Sequence, residues 1–255
     1  MRDVHEEYDK RNIEVHNIGI CDMKMPFCFV NKIETNTIAE VSAGVLLNKE
    51  KRGAHLSRIM EVLNERLYLK KLSLVDFENI VNDLSEKCES TGAYLELKFT
   101  IFTEKVTPVS KLNTCEEVEI VLNMRVCGKS VMSIEITKYG MMVCPCSKQI
   151  SEYGAHAQKC RVSVVFVDVN PLKFDVTEVI RIIEQQFSSE VYSLIKRSDE
   201  QFITESSYEN AKFSEDLVRD CLLALAKTDT AAKVKVKVKN MESIHKHNVY
   251  AYGEI

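Results

Sequence analysis

The chain has 255 residues, of which 45% are hydrophobic and 28% are charged, and its formal net charge is −4 at pH 7. This composition is typical of a soluble globular protein with one large domain or two ordinary ones. The acidic balance argues against nucleic acid or an anionic membrane as a partner, and no apolar run approaches the roughly 18 residues that span a bilayer.

Cysteine is unusually frequent, with nine residues in the chain. The count is odd, and the spacing is not that of a small disulfide-linked domain. The polar N-terminus, MRDVHEEYDKRNIEV, lacks the apolar core of a signal peptide. We therefore expect a cytoplasmic protein with reduced thiols, in which cysteines bind metal or are simply buried.

The first half of the chain alternates between strand and helix patterns. Segments 25–33 and 38–47 favour strands. Two amphipathic helices follow, with apolar residues spaced i, i+3, i+4 and i+7: Leu56, Ile59, Met60, Leu63, Leu67, and Phe77, Ile80, Val81, Leu84, Cys88. Ser73, three residues before Asp76, predicts a capping box at the second helix. Segments 93–102 and 117–126 then alternate as strands do.

The second half repeats this order. Segments 130–139 and 162–169 favour strands, and KVKVKVKN (233–240) predicts a later strand with a solvated lysine face. Between them lie two further helical stripes: Val176, Val179, Ile180, Ile183, Phe187, and Val218, Cys221, Leu222, Leu225. Asp175, three residues before Glu178, predicts a cap for the first of these helices.

The repeated order predicts an α+β protein with two tandem β-β-α-α-β-β units, residues 1–127 and 128–255. Each unit would be a mostly antiparallel sheet with helices on one face. Because the other face and the sheet edges need partners, we expect an oligomer. The second unit carries two long insertions, 143–160 and 193–212, and long excursions of this kind are typical of functional segments.

The first insertion reads VCPCSKQISEYGAHAQKC, and three interpretations of its cysteines stay open. They are a redox pair, part of a metal site, or two half-buried thiols without a function. A redox pair is disfavoured because no CxxC at a helix start is present, and a structural zinc site lacks a second cysteine pair. A catalytic metal site with a single thiolate would need one cysteine, one histidine and one carboxylate.

Cys144 and His156 supply the thiolate and the imidazole of such a site, and the carboxylate candidates are Glu200 and Glu215. Each acid also has an ordinary interpretation. Glu200 is explained as a solvated loop charge, and Glu215 as an acid in the first turn of a helix, where it favours the helix dipole.

Two other segments suggest contacts with a substrate. RGAHLSR (52–58) opens the first helix, and a helix start with positive side chains suits an anion such as phosphate, although an ordinary polar helix start explains it equally well. ESIHKH (242–247) places His245 and His247 two residues apart, so both rings would face the same side of an extended chain. The alternative is a surface pair at the start of a strand.

Five blocks together resemble the GTP cyclohydrolase IB family, which includes bacterial folate-pathway and archaeal methanopterin-pathway enzymes: CPCSKQISEYGAHAQ, RGAHLSR, IKRSDE, FSEDLVRD and ESIHKHNVYAYGE. The resemblance covers nearly the whole chain. It departs from the family pattern at Lys159, where arginine is usual, and at Ala54, where threonine is usual. The resemblance implies the tunnelling fold (T-fold), a homotetramer, and one divalent metal per subunit, which would be Fe(II), Zn or Mn(II).

The resemblance also implies roles for individual residues. The implied metal ligands are Cys144, His156 and Glu200. The implied catalytic residues are Cys144, His156, His245 and His247. Glu215 would anchor the guanine ring of GTP. Contacts to the triphosphate or the ribose are implied for His55, Ser57, Arg58, Lys148 and Arg197.

The implied activity is metal-dependent hydrolysis of GTP as the first step of folate or methanopterin biosynthesis. Water would attack carbon 8 of the guanine, the imidazole ring would open, and formate would leave. The product would be 7,8-dihydroneopterin triphosphate or 7,8-dihydroneopterin 2′,3′-cyclic phosphate. Two alternatives remain: a T-fold enzyme for another pterin or purine, and a non-catalytic metal or thiol-redox protein.

Overall fold

A computed structural model describes residues 4–5 and 7–255 of the chain. Contacts between residues divide it into two compact units. The first unit contains Met1–Thr100, Ile120–Ile134 and Asp168–Leu172, and the second contains Ile101–Glu119, Glu135–Val167 and Lys173–Ile255. These units are defined by contacts and do not test a duplication with its boundary between residues 127 and 128, which stays a prediction.

The helices and strands follow one another twice in a similar order. In the first half they are β1 (Val15–Asn31), β2 (Ile33–Leu47), α1 (Leu56–Arg66), β3 (Lys71–Leu72), α2 (Asp76–Lys87), β4 (Gly92–Val106) and β5 (Asn113–Cys127). In the second half they are β6 (Lys129–Val143), α3 (Pro145–Ile150), β7 (Ala157–Val169), α4 (Val176–Glu184), β8 (Ser189–Glu190), α5 (Arg197–Glu209), α6 (Ser214–Leu225), a short 3-10 helix (Ala226–Thr228), β9 (Ala231–Asn240) and β10 (Val249–Glu254).

Antiparallel pairing dominates the sheet. In the first unit β1 pairs with β2 and β2 pairs with β4, both antiparallel, whereas the short β3 is parallel to β1. In the second unit β9 and β10 are antiparallel, with Val238 opposite Ala251. The prediction of an α+β fold with a mostly antiparallel sheet is therefore confirmed.

The predicted apolar stripes form the core of the first unit. Ile59 and Leu63 of α1, and Phe77 of α2, are completely buried. The ring of Phe77 meets the ring of Phe27 in β1 edge to face, with 6.4 Å between centroids. Burial of each such side chain contributes about 1.5–3 kcal/mol, which is why the stripe of each helix lies against the strands.

The lysine-valine alternation of β9 behaves as predicted. Val236 and Val238 are completely buried, whereas Lys237 and Lys239 are exposed. Helix α6 packs on the buried face of β9 and on β10. It comes so close to Gly253 that an added Cβ atom would lie 2.8 Å from Val218. A side chain at this position would therefore displace the methyl groups of Val218 and Leu222.

One of the two predicted caps is confirmed and the other is wrong. Asp175 caps α4, because its carboxylate accepts hydrogen bonds from the amides of Thr177 and Glu178. Helix α2 instead begins after Val75, and the hydroxyl of Ser73 donates to the carboxylate of Asp76. Only half of the capping box is therefore present: the carboxylate of Asp76 accepts the amide hydrogen of Ser73, as predicted, but the hydroxyl of Ser73 also donates to that carboxylate.

The insertions contain structure that periodicity did not predict. Segment 143–160 holds the short helix α3, and segment 193–212 holds α5. Residues 242–247 form an irregular loop, and β10 begins only at Val249, so the extended chain considered for the histidine pair is not present there. No helix among the residues that the structure describes is long and apolar enough to cross a membrane.

A buried cluster of charges lies in the second unit. Lys138 Nζ is 2.9 Å from a carboxylate oxygen of Glu116 and 2.8 Å from one of Glu184, so it forms an ion pair with each acid. Lys105 pairs with the same two acids and with Glu190. Burial alone would raise the pKa of Glu184, but Lys138 and Lys105 outweigh it and hold that pKa below its ordinary value.

Candidate active site

The CPC segment forms the junction between a strand and a short helix. Strand β6 ends at Val143, Cys144 is the N-cap of α3, and Pro145 is its first residue. Proline suits this position because its missing amide hydrogen would have no partner in the helix. Cys144 is half-buried and Cys146 is exposed, and both are free thiols.

Three hydrogen bonds lock Cys144 to His156. The amide of Cys144 donates to the carbonyl oxygen of His156 over 3.2 Å. The amide of His156 donates to the hydroxyl of Ser147 over 3.2 Å, and that hydroxyl donates to the carbonyl oxygen of Cys144 over 3.1 Å. The two candidate ligands are thus held side by side by their own backbones and by one serine that the sequence analysis did not single out.

The ring of His156 is oriented by its neighbours. Its Nδ1 atom lies 2.9 Å from the side-chain oxygen of Gln158 and 3.4 Å from the hydroxyl of Ser243. Nε2 is therefore the ring nitrogen that is left for a ligand. Neither Gln158 nor Ser243 was predicted, although Gln158 stands within the GAHAQ block and its place two residues after the histidine was a usable signal.

Glu200 lies in the first turn of α5, exposed, beside a shallow surface depression. The residue before it anchors this turn. Asp199 is completely buried, and its carboxylate accepts hydrogen bonds from the amides of Val109, Ser110 and Lys196, each over 2.9 Å. Burial opposes ionisation of Asp199, but these bonds outweigh it and hold its pKa well below the usual range.

The structure brings two of the three implied metal ligands together. Among residues 4–5 and 7–255, no group of three or more His, Cys, Asp or Glu side chains is arranged to hold a metal. The chemistry of Cys144 and His156 nevertheless fits a metal, because Cys144 is a half-buried free thiol, its backbone is bonded to that of His156, and Nδ1 of His156 is already occupied. Glu200 and Glu215 are both exposed at helix starts.

Lys148 joins the two insertions. Its ammonium donates to the carbonyl oxygens of Tyr208 and Glu209, over 2.6 Å and 3.2 Å, at the C-terminal end of α5. It also lies 4.6 Å from the centre of the Tyr208 ring. Helix α3, which begins at the CPC segment, is thereby fixed to the helix that carries Glu200.

The histidine pair lies on the exposed loop before β10. The rings of His245 and His247 are stacked, with centroids 5.2 Å apart and planes 14° apart. Ser243 of the same loop contacts the ring of His156, so the loop runs beside this histidine. The two imidazoles stack on each other within a loop, whereas the sequence analysis considered them on an extended chain.

Three candidate substrate residues lie in the first unit. His55 is the N-cap of α1, and its ring lies 4.8 Å from the ring of His5. Ser57 is exposed. Arg58 is half-buried and donates to the carboxylate of Glu89 over 3.0 Å. The other candidate residues belong to the second unit.

A sequence model of the family described as Type I GTP cyclohydrolase folE2 matches residues 1–251. The chain belongs to the GTP cyclohydrolase folE2 family. The resemblance to a GTP cyclohydrolase is thereby confirmed, and the family that the match shows is folE2. Membership in the folE2 family also confirms the predicted function and enzyme class, a hydrolase of the GTP cyclohydrolase type.

Individual relatives are similar in sequence to this chain over nearly the full length of both. GTP cyclohydrolase FolE2 of Thermotoga petrophila is 38% identical over 256 residues, which cover 100% of this chain and 97% of the relative. GTP cyclohydrolase FolE2 of Citrifermentans bemidjiense is 37% identical over 254 residues, which cover 98% of this chain and 93% of the relative. The similarity to both relatives therefore extends over nearly the whole of each chain.

Solved structures confirm the predicted fold. The uricase of Arthrobacter globiformis matches with a TM-score of 0.55 and 7% identity, over 94% of this chain and 92% of the uricase. A uricase from Bacillus fastidious matches with a TM-score of 0.55 and 11% identity, over 97% and 94% of the two chains. At these identities the likeness shows the fold alone, and that fold is the predicted T-fold.

Proposed function

We propose that this folE2 protein opens the imidazole ring of GTP by hydrolysis at carbon 8 and releases formate. The observation that carries the proposal is the hydrogen-bonded junction of Cys144 and His156, found in a chain of the GTP cyclohydrolase folE2 family. The product is 7,8-dihydroneopterin triphosphate or 7,8-dihydroneopterin 2′,3′-cyclic phosphate, formed as the first step of folate or methanopterin biosynthesis.

Cys144, His156 and Glu200 would hold one divalent metal per subunit, which is Fe(II), Zn or Mn(II). A thiolate, an imidazole and a carboxylate form a donor set that suits all three metals. When bound, such a metal lowers the pKa of a water molecule enough to supply hydroxide near neutral pH. In support of this set, His156 already presents Nε2, and Asp199 fixes the helical turn that bears Glu200.

Glu215 binds the guanine ring in this proposal. A carboxylate is an acceptor-only group, so it can receive the ring N–H and the amino N–H of guanine together. Glu215 is exposed in the first turn of α6. The neighbouring Asp216 accepts the amide hydrogen bond of Phe213, which fixes the start of the helix and leaves Glu215 to the substrate.

The triphosphate and the ribose would be bound by positive and hydroxyl side chains. The proposed contacts are His55, Ser57, Arg58, Lys148 and Arg197. Arg197 is exposed at the start of α5, close in sequence to Glu200. A phosphate that binds the ammonium of Lys148 would compete for it with the two carbonyl oxygens of α5 to which it now donates.

His245 and His247 would move protons as the ring opens. Imidazole is the side chain best suited to accept and return protons near neutral pH. The exposure of this stacked pair on the loop that contacts His156 supports the assignment. We also propose that the chain forms a homotetramer, since helices cover only one face of the strands and the sheet edges need partners. The proposed location of this tetramer is the cytoplasm.

Metal-free protein, incubated with GTP and Fe(II), Mn(II) or Zn under anaerobic conditions, tests the proposal. We expect release of formate together with a pterin that becomes fluorescent on oxidation. Mass spectrometry of the same sample separates the triphosphate from the cyclic phosphate. A folded, metal-loaded protein that releases no formate with any of these metals would overturn the proposed reaction.

A further inference from the structure

Gln158 stands beside the proposed metal ligand His156 without a role in the reaction described above. His156 directly precedes β7 and Gln158 is the second residue of that strand, so an extended chain at this point places their side chains on the same side. Gln158 is only 8% exposed, and its Oε1 atom lies 2.9 Å from Nδ1 of His156. A buried amide aimed at a ring nitrogen indicates a specific pairing, because an unpaired buried amide oxygen destabilises the fold.

We infer that Gln158 is a positioning residue, which holds neutral His156 in the tautomer with its proton on Nδ1. This inference rests on the proposed metal site. The amide oxygen of glutamine can only accept a hydrogen bond, so Nδ1 must be the donor. A neutral imidazole carries a single N–H, and Nε2 therefore keeps the lone pair that a metal needs.

Ser243 does not replace Gln158 in this role. Its hydroxyl lies farther from Nδ1, at 3.4 Å, and can donate as well as accept, so it does not select one tautomer. Ser243 also belongs to the exposed loop before β10, whereas Gln158 is fixed in a strand. Loss of Gln158 should therefore allow both tautomers of His156, of which only one binds metal through Nε2.

The test compares Gln158→Leu with Gln158→Glu and with a control, Gln186→Leu. Glutamate keeps an acceptor beside Nδ1, whereas leucine removes it. The side chain of Gln186 donates to the carbonyl oxygen of Ile182 in α4, so the control removes a glutamine hydrogen bond in the same unit that does not involve His156.

The first measurement is the dissociation constant for Mn(II), determined by calorimetry on each metal-free protein. Loss of a hydrogen-bond partner of a ligating histidine costs roughly 10- to 100-fold in metal affinity. We expect this loss in Gln158→Leu, a rescue in Gln158→Glu, and wild-type affinity in Gln186→Leu. Equal affinity of Gln158→Leu and the wild type would overturn the inference, even if both leucine variants melt at lower temperature.

The second measurement is the nitrogen chemical shift of the His156 ring in the metal-free protein, at a pH above the range in which histidine titrates. We expect the wild type to carry its proton on Nδ1, and Gln158→Leu to populate the Nε2-protonated form. A wild-type proton on Nε2 would overturn the inference directly. A wild type with the Nδ1 proton that binds no metal would overturn the metal site itself, so the two failures are distinguished.

Discussion

The amide of Cys144 donates to the carbonyl oxygen of His156 over 3.2 Å, although helix α3 and a turn separate the two residues in sequence. Ser147 closes the arrangement by bonding to both backbones. The backbones of Cys144 and His156 are therefore held together without a metal. This geometry favours a preformed site, in which binding does not have to order the loop.

Replacing Cys144 with alanine should abolish formate release and metal binding while leaving the fold intact. The thiol is half-buried and makes no side-chain hydrogen bond that the fold needs, so the circular dichroism spectrum and the melting temperature should change little. Cys146→Ala is the matched control, since this exposed thiol lies only two residues along the chain. Its metal content should equal that of the wild type. A Cys144→Ala protein that still turns over GTP would remove Cys144 from the site.

Glu200 and Glu215 are predicted to differ in what they bind, although both are exposed acids in the first turn of a helix. Glu215→Gln should raise KM for GTP by roughly 10- to 100-fold, the worth of a charged hydrogen bond, and leave metal content unchanged. Glu200→Gln should lower metal content instead. Steady-state kinetics and metal analysis of both variants check this. Equal loss of metal in the two proteins would show that the carboxylate roles are wrongly assigned.

Glu184→Gln should destabilise the protein by about 3 kcal/mol at pH 7, because it leaves the buried Lys138 and Lys105 short of a counter-charge. The pKa of Glu184 is lowered in the folded protein, so its stabilising contribution is present above its unfolded pKa of 4.5. That contribution is lost as the pH falls through the lower, folded value. The difference between variant and wild type in free energy of unfolding should therefore shrink below about pH 4.5.

Urea unfolding at several pH values measures this difference. Glu34→Gln is the matched control, since Glu34 pairs with Lys71 on the surface and both side chains are exposed. Exposed pairs contribute little, so the control should be as stable as the wild type. A Glu184→Gln protein that is no less stable than the control would contradict the account of the buried cluster.

Cys160 and Cys221 should resist alkylation in the folded protein. Both thiols are completely buried, and burial raises the pKa of each to about 12, so the reactive thiolate is scarce at neutral pH. The exposed thiols, Cys21, Cys115, Cys127 and Cys146, should be labelled before them. Mass spectrometry after timed exposure to iodoacetamide measures this order. Rapid labelling of Cys160 without unfolding would show that the core of the second unit opens readily.

Periodicity predicted the elements that bury an apolar face. The stripe that contains Val218 and Cys221 became α6, and the valines of residues 233–240 became the buried face of β9. Helix α5 escaped prediction because its buried residues are Asp199 and Ser207, which are polar, so the segment has no apolar stripe. Its position depends instead on the hydrogen bonds of one buried carboxylate, which no pattern of hydrophobic residues reveals.

In the candidate site, too, the sequence predicted some features and not others. Cys144 and His156 were chosen as chemically suitable residues, but their pairing depends on a backbone hydrogen bond that sequence spacing does not specify. Ser147 and Gln158 were missed because a serine and a glutamine beside a histidine are common and carry meaning only through geometry. Ser73 was misassigned because its hydroxyl bonds to an acid side chain instead of a helix amide.

The most direct test of the proposed reaction uses GTP labelled with carbon-13 at carbon 8. Metal-loaded protein is incubated with this substrate without oxygen, and carbon-13 NMR follows the label. Ring opening at carbon 8 predicts one labelled formate for each pterin formed, and no label in the pterin. Label that stays in the purine or its product, while the protein is folded and loaded with metal, would contradict hydrolysis at carbon 8.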